Sequence, residues 1–487
     1  MESMPLYESA AIRWLEHEVE KRHGVTPYTL MQRAAAAALV VCQRHFPAAR
    51  RLHVVCGPGN NGGDGVELAH QAIKCGYEVR VITRFDPKTR RGAAADAWRA
   101  WLSAGRGVDA AVLSDVRHGD LVIDAMFGTG LNRPLDGVDA ELLRSINAAP
   151  APCLALDLPS GLDPDSGRAA DVAVTALHTV SFIGEKLGLA LADGPRLAGR
   201  IAVADLGIPP ALLAEAAVRL RRVASGGGRW PLRRRRAHKG DHGRLVIVGS
   251  QPGMRGAGVL AGTAALRAGA GLVRLAMLGD TAGPMPRLAP ELMVQTVNTA
   301  DALAESIGWA DVVVLGPGLG ATPLAARSLD VVLAADCRRV LDADALNLLA
   351  TAPRSVPHSV LTPHPGEAAR LLGVSVDEVE TDRIAAVTRL ADRYGCTVVL
   401  KGAGTLVAES GVTPRIVGGG NPGLATGGSG DVLSGVMGAM LTGASSALDA
   451  ALYAVGLHNA AADASAGGAE RGLLPSDVID QIRWCVN

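Results

Sequence analysis

The chain has 487 residues, 48% hydrophobic and 20% charged, which is more than one typical domain and globular in composition rather than disordered. Lys+Arg and Asp+Glu both number 48, so no net charge draws the chain to polyanions, and aromatics at 3% exclude a nucleic-acid platform of stacked rings. The seven cysteines (42, 56, 75, 153, 337, 396, 485) are odd in number and show no CxxC or other metal-ligand spacing, which points to a reduced cytoplasmic setting.

The N-terminal MESMPLYESAAIRWLEHEVEKRHG is charged and helix-like, without the apolar core of a signal peptide. LHVVC (52–56) reads as a strand, GPGNNGGDG (57–65) as a turn, VELAHQAIKCG as a helix and YEVRVIT (77–83) as the next strand. This rhythm is a βαβ unit. It recurs in DLVIDAMFGTG (120–130) and PCLALDLPSG (152–161), each a strand ahead of an Asp and a glycine turn. Ligands of an open parallel sheet sit at the carboxyl ends of its strands, so the three turns are expected to face one cleft. GPGNNGGDG is not GxGxxG, because its asparagines and Asp64 add side-chain acceptors to a phosphate-cradling turn. Asp124, Asp157 and Ser160 stand at strand ends, and with Asn61 they offer a small set of hard oxygen ligands for a cation.

ALLAEAAVRLRRV (211–223) reads as a terminal helix. In SGGGRWPLRRRRAHKGDHG (225–243), Arg233 to Arg236 are consecutive cations without apolar partners, the pattern of a solvated linker. The boundary falls near 225–235, giving domains 1–225 and 226–487. A second α/β series follows. RLVIVGS (244–250) is a strand, VLAGTAALRAGAGLVRLAML a helix, turn and strand, and DVVVLGPGLG (311–320) a strand with a turn. The uncharged run 432–448 falls short of a membrane span and reads as a helix in a globular core.

NPGLATGGSGDVLSG (421–435) is the most informative stretch of this half. Its glycines let amides approach an anion, a helix N-terminus follows, and Asp431 stands at the rim. Such a turn suits phosphoryl transfer to an oxygen whose proton Asp431 takes, while the amides hold the developing charge. It lacks the Lys-Ser/Thr pair of a Walker loop. LKGAGTLVA (400–408) puts a lysine, two glycines and a threonine after a buried strand, a second phosphate holder. LTPHPGE (361–367) clamps His364 between two prolines, and GPGLG (316–320) is another close-approach turn.

The 421–435 turn resembles the GxGD turn of the ribokinase-like superfamily. The order GPGLG, LDADALN, TPHPGE, KGAGT, NPGLATGGSGD resembles one family within it, the ADP/ATP-dependent NAD(P)H-hydrate dehydratases, and HKGDHGRLVIVGS and LAGTAALRAGAGLV match that family's opening. The resemblance implies that Lys401, Gly402, Ala403, Gly404, Thr405 and Gly430 contact the nucleotide, ADP or ATP, with Mg²⁺ neutralising its phosphates. It implies that Asp431, His364, Gly318 and Gly258 contact the hydrated nicotinamide, with Asp431 catalytic. RGAG (255–258) departs from the family's small-residue run.

The first half is similar to NAD(P)H-hydrate epimerase domains. That similarity assigns Asn60, Asn61, Gly62, Gly63 and Asp64, together with Gly128, Thr129, Gly130, Leu131, Asn132, Arg133 and Pro134, to the substrate. It makes Asp157 a substrate contact and the acid/base, and gives a potassium ion to Asn61, Asp124 and Ser160. Lys186 falls either near the cleft or on the surface. Gln32 and Ala35 stand where the family has an acid and a glycine. The expected architecture is α/β in two domains, an N-terminal Rossmann-like three-layer sandwich and a C-terminal ribokinase-like domain. The expected function is repair of hydrated NADH and NADPH by epimerisation and nucleotide-driven dehydration, on a homo-oligomer without nucleic-acid or membrane partners. The alternative is a small-alcohol kinase of the hydroxymethyl-thiazole or pyridoxal type, fused to a non-catalytic scaffold domain.

Overall fold

A computed structural model describes all residues except 1–2, 110–112, 114, 131–134, 136, 224–229, 231–234, 280–288 and 487. The chain divides into two compact units, Pro5–Arg219 and Leu220–Asn487, the latter also taking in Met1–Met4.

The unit Pro5–Arg219 is built on a six-stranded sheet. Its order is Glu78–Ile82, Arg51–Cys56, Leu121–Ala125, Cys153–Leu156, His178–Phe182, Arg200–Ala204, and every pairing is parallel. Strands buried on both faces read as continuous apolar runs, which is why LHVVC and LVIDA were legible. The helix after the first glycine motif begins earlier than its composition suggests, spanning Asn60–Lys74. NNGGDG therefore forms the opening turns of that helix, not a loop. The glycines are there for contact. A Cβ at Gly62 would lie 1.8 Å from the Gly57 carbonyl oxygen, and one at Gly65 would lie 2.5 Å from Ala125 Cβ.

The expected terminal helix over 211–223 is corrected. A short helix, Pro210–Glu215, is followed by a strand, Leu220–Val223, whose β-branched and arginine side chains pair in parallel with Val412–Val417. Arg235 and Arg236 of the arginine block are exposed, while Arg233 and Arg234 lie outside the described residues.

The unit Leu220–Asn487 holds an eleven-stranded sheet. Its order is Ser3–Leu6, Leu220–Val223, Val412–Val417, Thr405–Glu409, Thr397–Leu400, Ser359–Leu361, Arg338–Leu341, Val312–Leu315, Arg244–Gly249, Leu272–Leu278, Met293–Val297. From Thr397–Leu400 to Met293–Val297 the strands are parallel, and Thr405–Glu409 runs antiparallel to both neighbours. Helices Arg255–Ala268, Ser429–Gly443, Ala447–Ala466 and Pro475–Cys485 share one apolar core with Leu245, Ile247, Val312, Val314 and Val340. The uncharged 432–448 run is core helix as far as Gly443, breaks at 444–446 and enters the next helix at Ala447, and no helix among the described residues is long and apolar enough to cross a membrane.

Small residues let the two central helices of this core meet backbone to backbone. A Cβ at Gly435 would sit 2.0 Å from the Ala261 carbonyl oxygen. Gly435→Ala should therefore push the helices apart and cost about 1–3 kcal/mol. Urea denaturation of the full chain measures this, and an unchanged midpoint would show that the helices yield freely.

Candidate active sites

In the unit Leu220–Asn487 the loops after five parallel strands converge. Asp342 follows Arg338–Leu341 and is 1% exposed. It accepts hydrogen bonds from Lys401 Nζ at 2.8 Å and Ser434 Oγ at 2.7 Å. Burial raises this carboxyl, but the Lys401 charge and bonds from Lys401, Ser434 and Thr362 outweigh it and hold it below its ordinary value. Glu367 lies 4.0 Å from the same ammonium, and burial pushes its carboxyl up to about 6. Burial also acts against the Lys401 ammonium, yet Asp342 and Glu367 more than restore it, so Lys401 stays charged.

Asp431 is the third residue of helix Ser429–Gly443, which starts at Gly428 (φ 98°) with no side-chain cap. The Ser429 amide turns back to the Thr426 carbonyl at 3.2 Å, and among the described residues no side chain caps the Gly430 and Asp431 amides that follow, as an anion site requires. A Cβ on Gly430 would come within 3.4 Å of Lys401 Nζ and 3.8 Å of Asp342 Oδ2, which places the glycine turn directly over the ion pair. Burial, then the Asp342 charge, pushes the Asp431 carboxyl up to about 6, with Lys401 opposing. The turn 401–404 joins two antiparallel strands, with Gly402 at φ 143° and Gly404 at φ 76°. Arg383 Nη2 clasps it from beneath by bonding the carbonyls of Leu400, Lys401 and Gly404 at 3.2–3.4 Å.

His364 caps helix Pro365–Leu372. Its Nδ1 accepts from the Gly366 amide at 3.0 Å, and Glu367 closes the capping box. Burial and the Lys401 charge depress its pKa, so the exposed imidazole is neutral near pH 7. Gly318 (φ 61°) packs on the 254–257 backbone, and Gly258 on Ser250, so these two predicted contacts share one corner. The LDADALN segment carries strain at Ala343 (φ 47°) between Asp342 and Asp344, and Asp344 Oδ2 ties down the Gly320 amide at 2.7 Å. Asp342, Glu367 and Arg383 were not singled out by sequence. Asp342 had one usable signal, an acid at the carboxyl end of a buried strand.

In the unit Pro5–Arg219 the three predicted strand-end turns meet. Asp124 is fully buried and accepts from Ser160 Oγ at 2.6 Å, the Ser160 amide at 2.8 Å and the Met126 amide at 3.2 Å. Burial pushes its carboxyl up to about 6 despite these bonds. Asn61 is buried, and neither of its amide atoms is hydrogen-bonded among the described residues. Asp157 follows Cys153–Leu156 with φ 68°, and Lys186, which the sequence left open, is wholly buried and ion-paired to it. A Cβ at Gly128 would lie 3.1 Å from Asp157 Oδ2 and 3.4 Å from Asn61 Cβ. The bare glycine thus leaves a hollow between them. Burial, then the charges of Asp157 and Glu16, push the Asp64 carboxyl well above its ordinary range. Helix Asn60–Lys74 also starts without a side-chain cap. Thr129 is half-buried and Gly130 exposed in the turn after Gly128, while Leu131, Asn132, Arg133 and Pro134 lie outside the described residues.

The fold and this geometry define an α/β chain with, in each unit, a carboxylate-bearing cleft at strand ends beside a helix start that no side chain caps. Residues 244–483 match the family described as NAD(P)H-hydrate dehydratase, and residues 27–188 that described as YjeF-related protein N-terminus. The bifunctional NAD(P)H-hydrate repair enzyme Nnr of Escherichia coli (strain K12) is 43% identical over 98% of this chain and 93% of its own length. That of Coxiella burnetii is 40% identical over 99% of both. A solved ribokinase-like superfamily protein from Enterococcus faecalis aligns with a TM-score of 0.50 at 27% identity, covering 55% of this chain and 95% of that one. The chain belongs to the family of bifunctional NAD(P)H-hydrate repair enzymes. The expected α/β class and two-activity function are borne out, in preference to a small-alcohol kinase with an inert scaffold.

A base at Asp431 must be ionised, so dehydration should fall as pH drops through about 6, well above an ordinary aspartate. Asp342→Asn removes one raising charge and frees Lys401, so the acid limb should move to lower pH. The pH profile of kcat/KM for both proteins checks this, and a limb that stays put would remove Asp342 from the electrostatics of the base.

Proposed function

We propose that the unit Leu220–Asn487 dehydrates the S epimer of hydrated NADH or NADPH with ADP or ATP. Asp431 takes the proton of the C6 hydroxyl as its oxygen accepts the terminal phosphoryl group. Lys401, the 402–405 turn and the Gly430 amide hold the nucleotide, and His364, Gly318 and Gly258 border the nicotinamide. Phosphate then leaves C6, pushed by the lone pair of the adjacent ring nitrogen. Loss of a proton from the neighbouring ring carbon restores NADH or NADPH, leaving AMP or ADP. Mg²⁺, held mainly by the nucleotide's own phosphates, would neutralise their charge. The observation that carries this reading is the uncapped helix start at Gly428, with a raised carboxyl three residues in and a charged lysine beneath.

The unit Pro5–Arg219 interconverts the R and S epimers in this reading. C6 bears both a hydroxyl and the ring nitrogen. Asp157 removes the hydroxyl proton, the C6–O bond becomes a carbonyl, and the C6–N bond breaks with its electron pair moving to nitrogen, which takes the proton back from Asp157. Reclosure on the other face reverses each step and consumes nothing. Asn60, Asn61, Gly62, Gly63 and Asp64 bind the substrate in this reading, together with residues 128–134. The Asn61 amide, unpartnered among the described residues, together with Asp124 and the Ser160 hydroxyl bonded to it, would supply the one carboxylate and neutral oxygens that suit a potassium ion. Such an ion would order this end of the substrate cleft. The proposed domains are residues 1–225 and 226–487, with strand Leu220–Val223 of the first lending itself to the sheet of the second, in a cytoplasmic homo-oligomer.

Mixed NADH-hydrate epimers should recover fully to NADH with ADP and not without it, followed by absorbance of the reduced nicotinamide. Asp431→Asn should slow recovery about 10²–10⁴-fold while epimers still exchange. Asp157→Asn should cap recovery at the S share. Full activity of the Asp431 variant would remove the base from the scheme. Replacing K⁺ by tetramethylammonium should slow epimer exchange alone, and Asn61→Leu should abolish that sensitivity. Equal rates in both salts would dismiss the ion.

A further inference from the structure

Lys186 is fully buried, and its ammonium has two visible partners, Asp157 Oδ1 and the Phe182 carbonyl at 2.6 Å. The Phe182 amide donates to the same Oδ1 at 3.4 Å. No hydrogen bond among the described residues reaches Oδ2, which faces the hollow left by Gly128. The two oxygens of one carboxylate are therefore treated differently, one tethered and one open.

The backbone around the pair is unusual at both strand ends. Leu158 N bonds Leu156 O at 2.9 Å across Asp157, and Gly184 N bonds Phe182 O at 2.7 Å across Ile183, whose φ is 67°. Both are three-residue turns with a positive central φ in a non-glycine residue, a rare and strained form. They lie side by side at the ends of adjacent parallel strands. One aims the carboxylate, the other aims the carbonyl that receives the ammonium. Lys186 itself is pinned from outside. Tyr7 N bonds Glu185 O and Leu187 N bonds Tyr7 O, each at 2.9 Å, and Gly184 leaves room for the Tyr7 ring. A buried ion pair contributes little net stability over apolar packing of equal volume. Two strained turns arranged around one call for another role.

We propose that Lys186 is the positioning residue of the epimerase site, holding Oδ1 of Asp157 so that Oδ2 alone is presented to the hydroxyl of the hydrated ring. This rests on the reading of Asp157 given above. Lys186 takes no proton and touches no substrate. It fixes the carboxylate's rotation and keeps a positive charge behind it.

The test uses the full chain and the purified R epimer, with R-to-S exchange followed by chromatography and dehydration of the S epimer as an internal measure of intact protein. Lys186→Met should lower kcat for exchange about 100-fold, within the range of positioned proton transfer, and leave KM within about threefold and S-epimer dehydration unchanged. Lys186→Gln, which keeps one donor, should lose less. Combining Lys186→Met with Asp157→Asn removes both charges and should be no slower than Asp157→Asn alone, because the two act as a unit. If Lys186→Met exchanges epimers at the parent rate while Asp157→Asn does not, the positioning role is wrong and the epimerase reading stands. If Asp157→Asn also exchanges at the parent rate, both fall. Should Lys186→Met not fold, the glutamine and double variants decide: a double variant much slower than Asp157→Asn alone overturns the proposal.

Discussion

A single ammonium organises the C-terminal unit. Lys401 is shared by Asp342 and Glu367 and lies beneath Gly430, so it ties together the ends of three strands and the start of a helix. Remove that charge and three carboxylates are left crowded with nothing between them. Keep it, and one acid is held ionised while burial and a neighbouring anion raise Asp431 toward the range where a base works near neutral pH. Asp342 is thus the counter-ion of the lysine and also part of what raises Asp431, the proposed base.

The two units solve a similar problem with different means. Each places an acid at a strand's carboxyl end, opposite a helix start with no side-chain cap. In the C-terminal unit the lysine side chain is partly open, at 20% exposure, and is proposed to meet phosphate. In the N-terminal unit Lys186 is sealed in and can act only through its partner. Phosphoryl transfer needs a cation at the reacting group, whereas inversion of a carbinol centre needs a well-aimed base, and the difference in exposure follows that division.

Much of this was legible in the chain because parallel strands buried on both faces leave continuous apolar runs, and because glycines mark where backbones must touch. LVIDA, RLVIVG and GGSGD could be read for those reasons. The boundary of helix Asn60–Lys74 was misjudged because glycine has two uses, as a turn former and as a spacer, and composition does not separate them. AEAAVRL has helical propensity, and in Leu220–Val223 pairing with a distant strand overrides it. Asp342 carries only the weak signal of an acid after a buried strand, Arg383 carries none, and the significance of both, like that of Glu367, arises only when loops from separate strands meet. Lys186 was ambiguous for the same reason, since sequence records a lysine's charge and not its depth.

The strand Ser3–Leu6 borders Leu220–Val223 at the sheet's edge, and Arg221 fastens it by bonding the Ser3 hydroxyl at 2.9 Å and the Ser3 carbonyl at 2.8 Å, across 218 positions of chain. On a ribosome, Ser3 would emerge long before its partner exists. The edge of the larger sheet must therefore stay open until late in assembly, and severing the halves at residue 219 would leave each fragment holding one side of an unfinished seam.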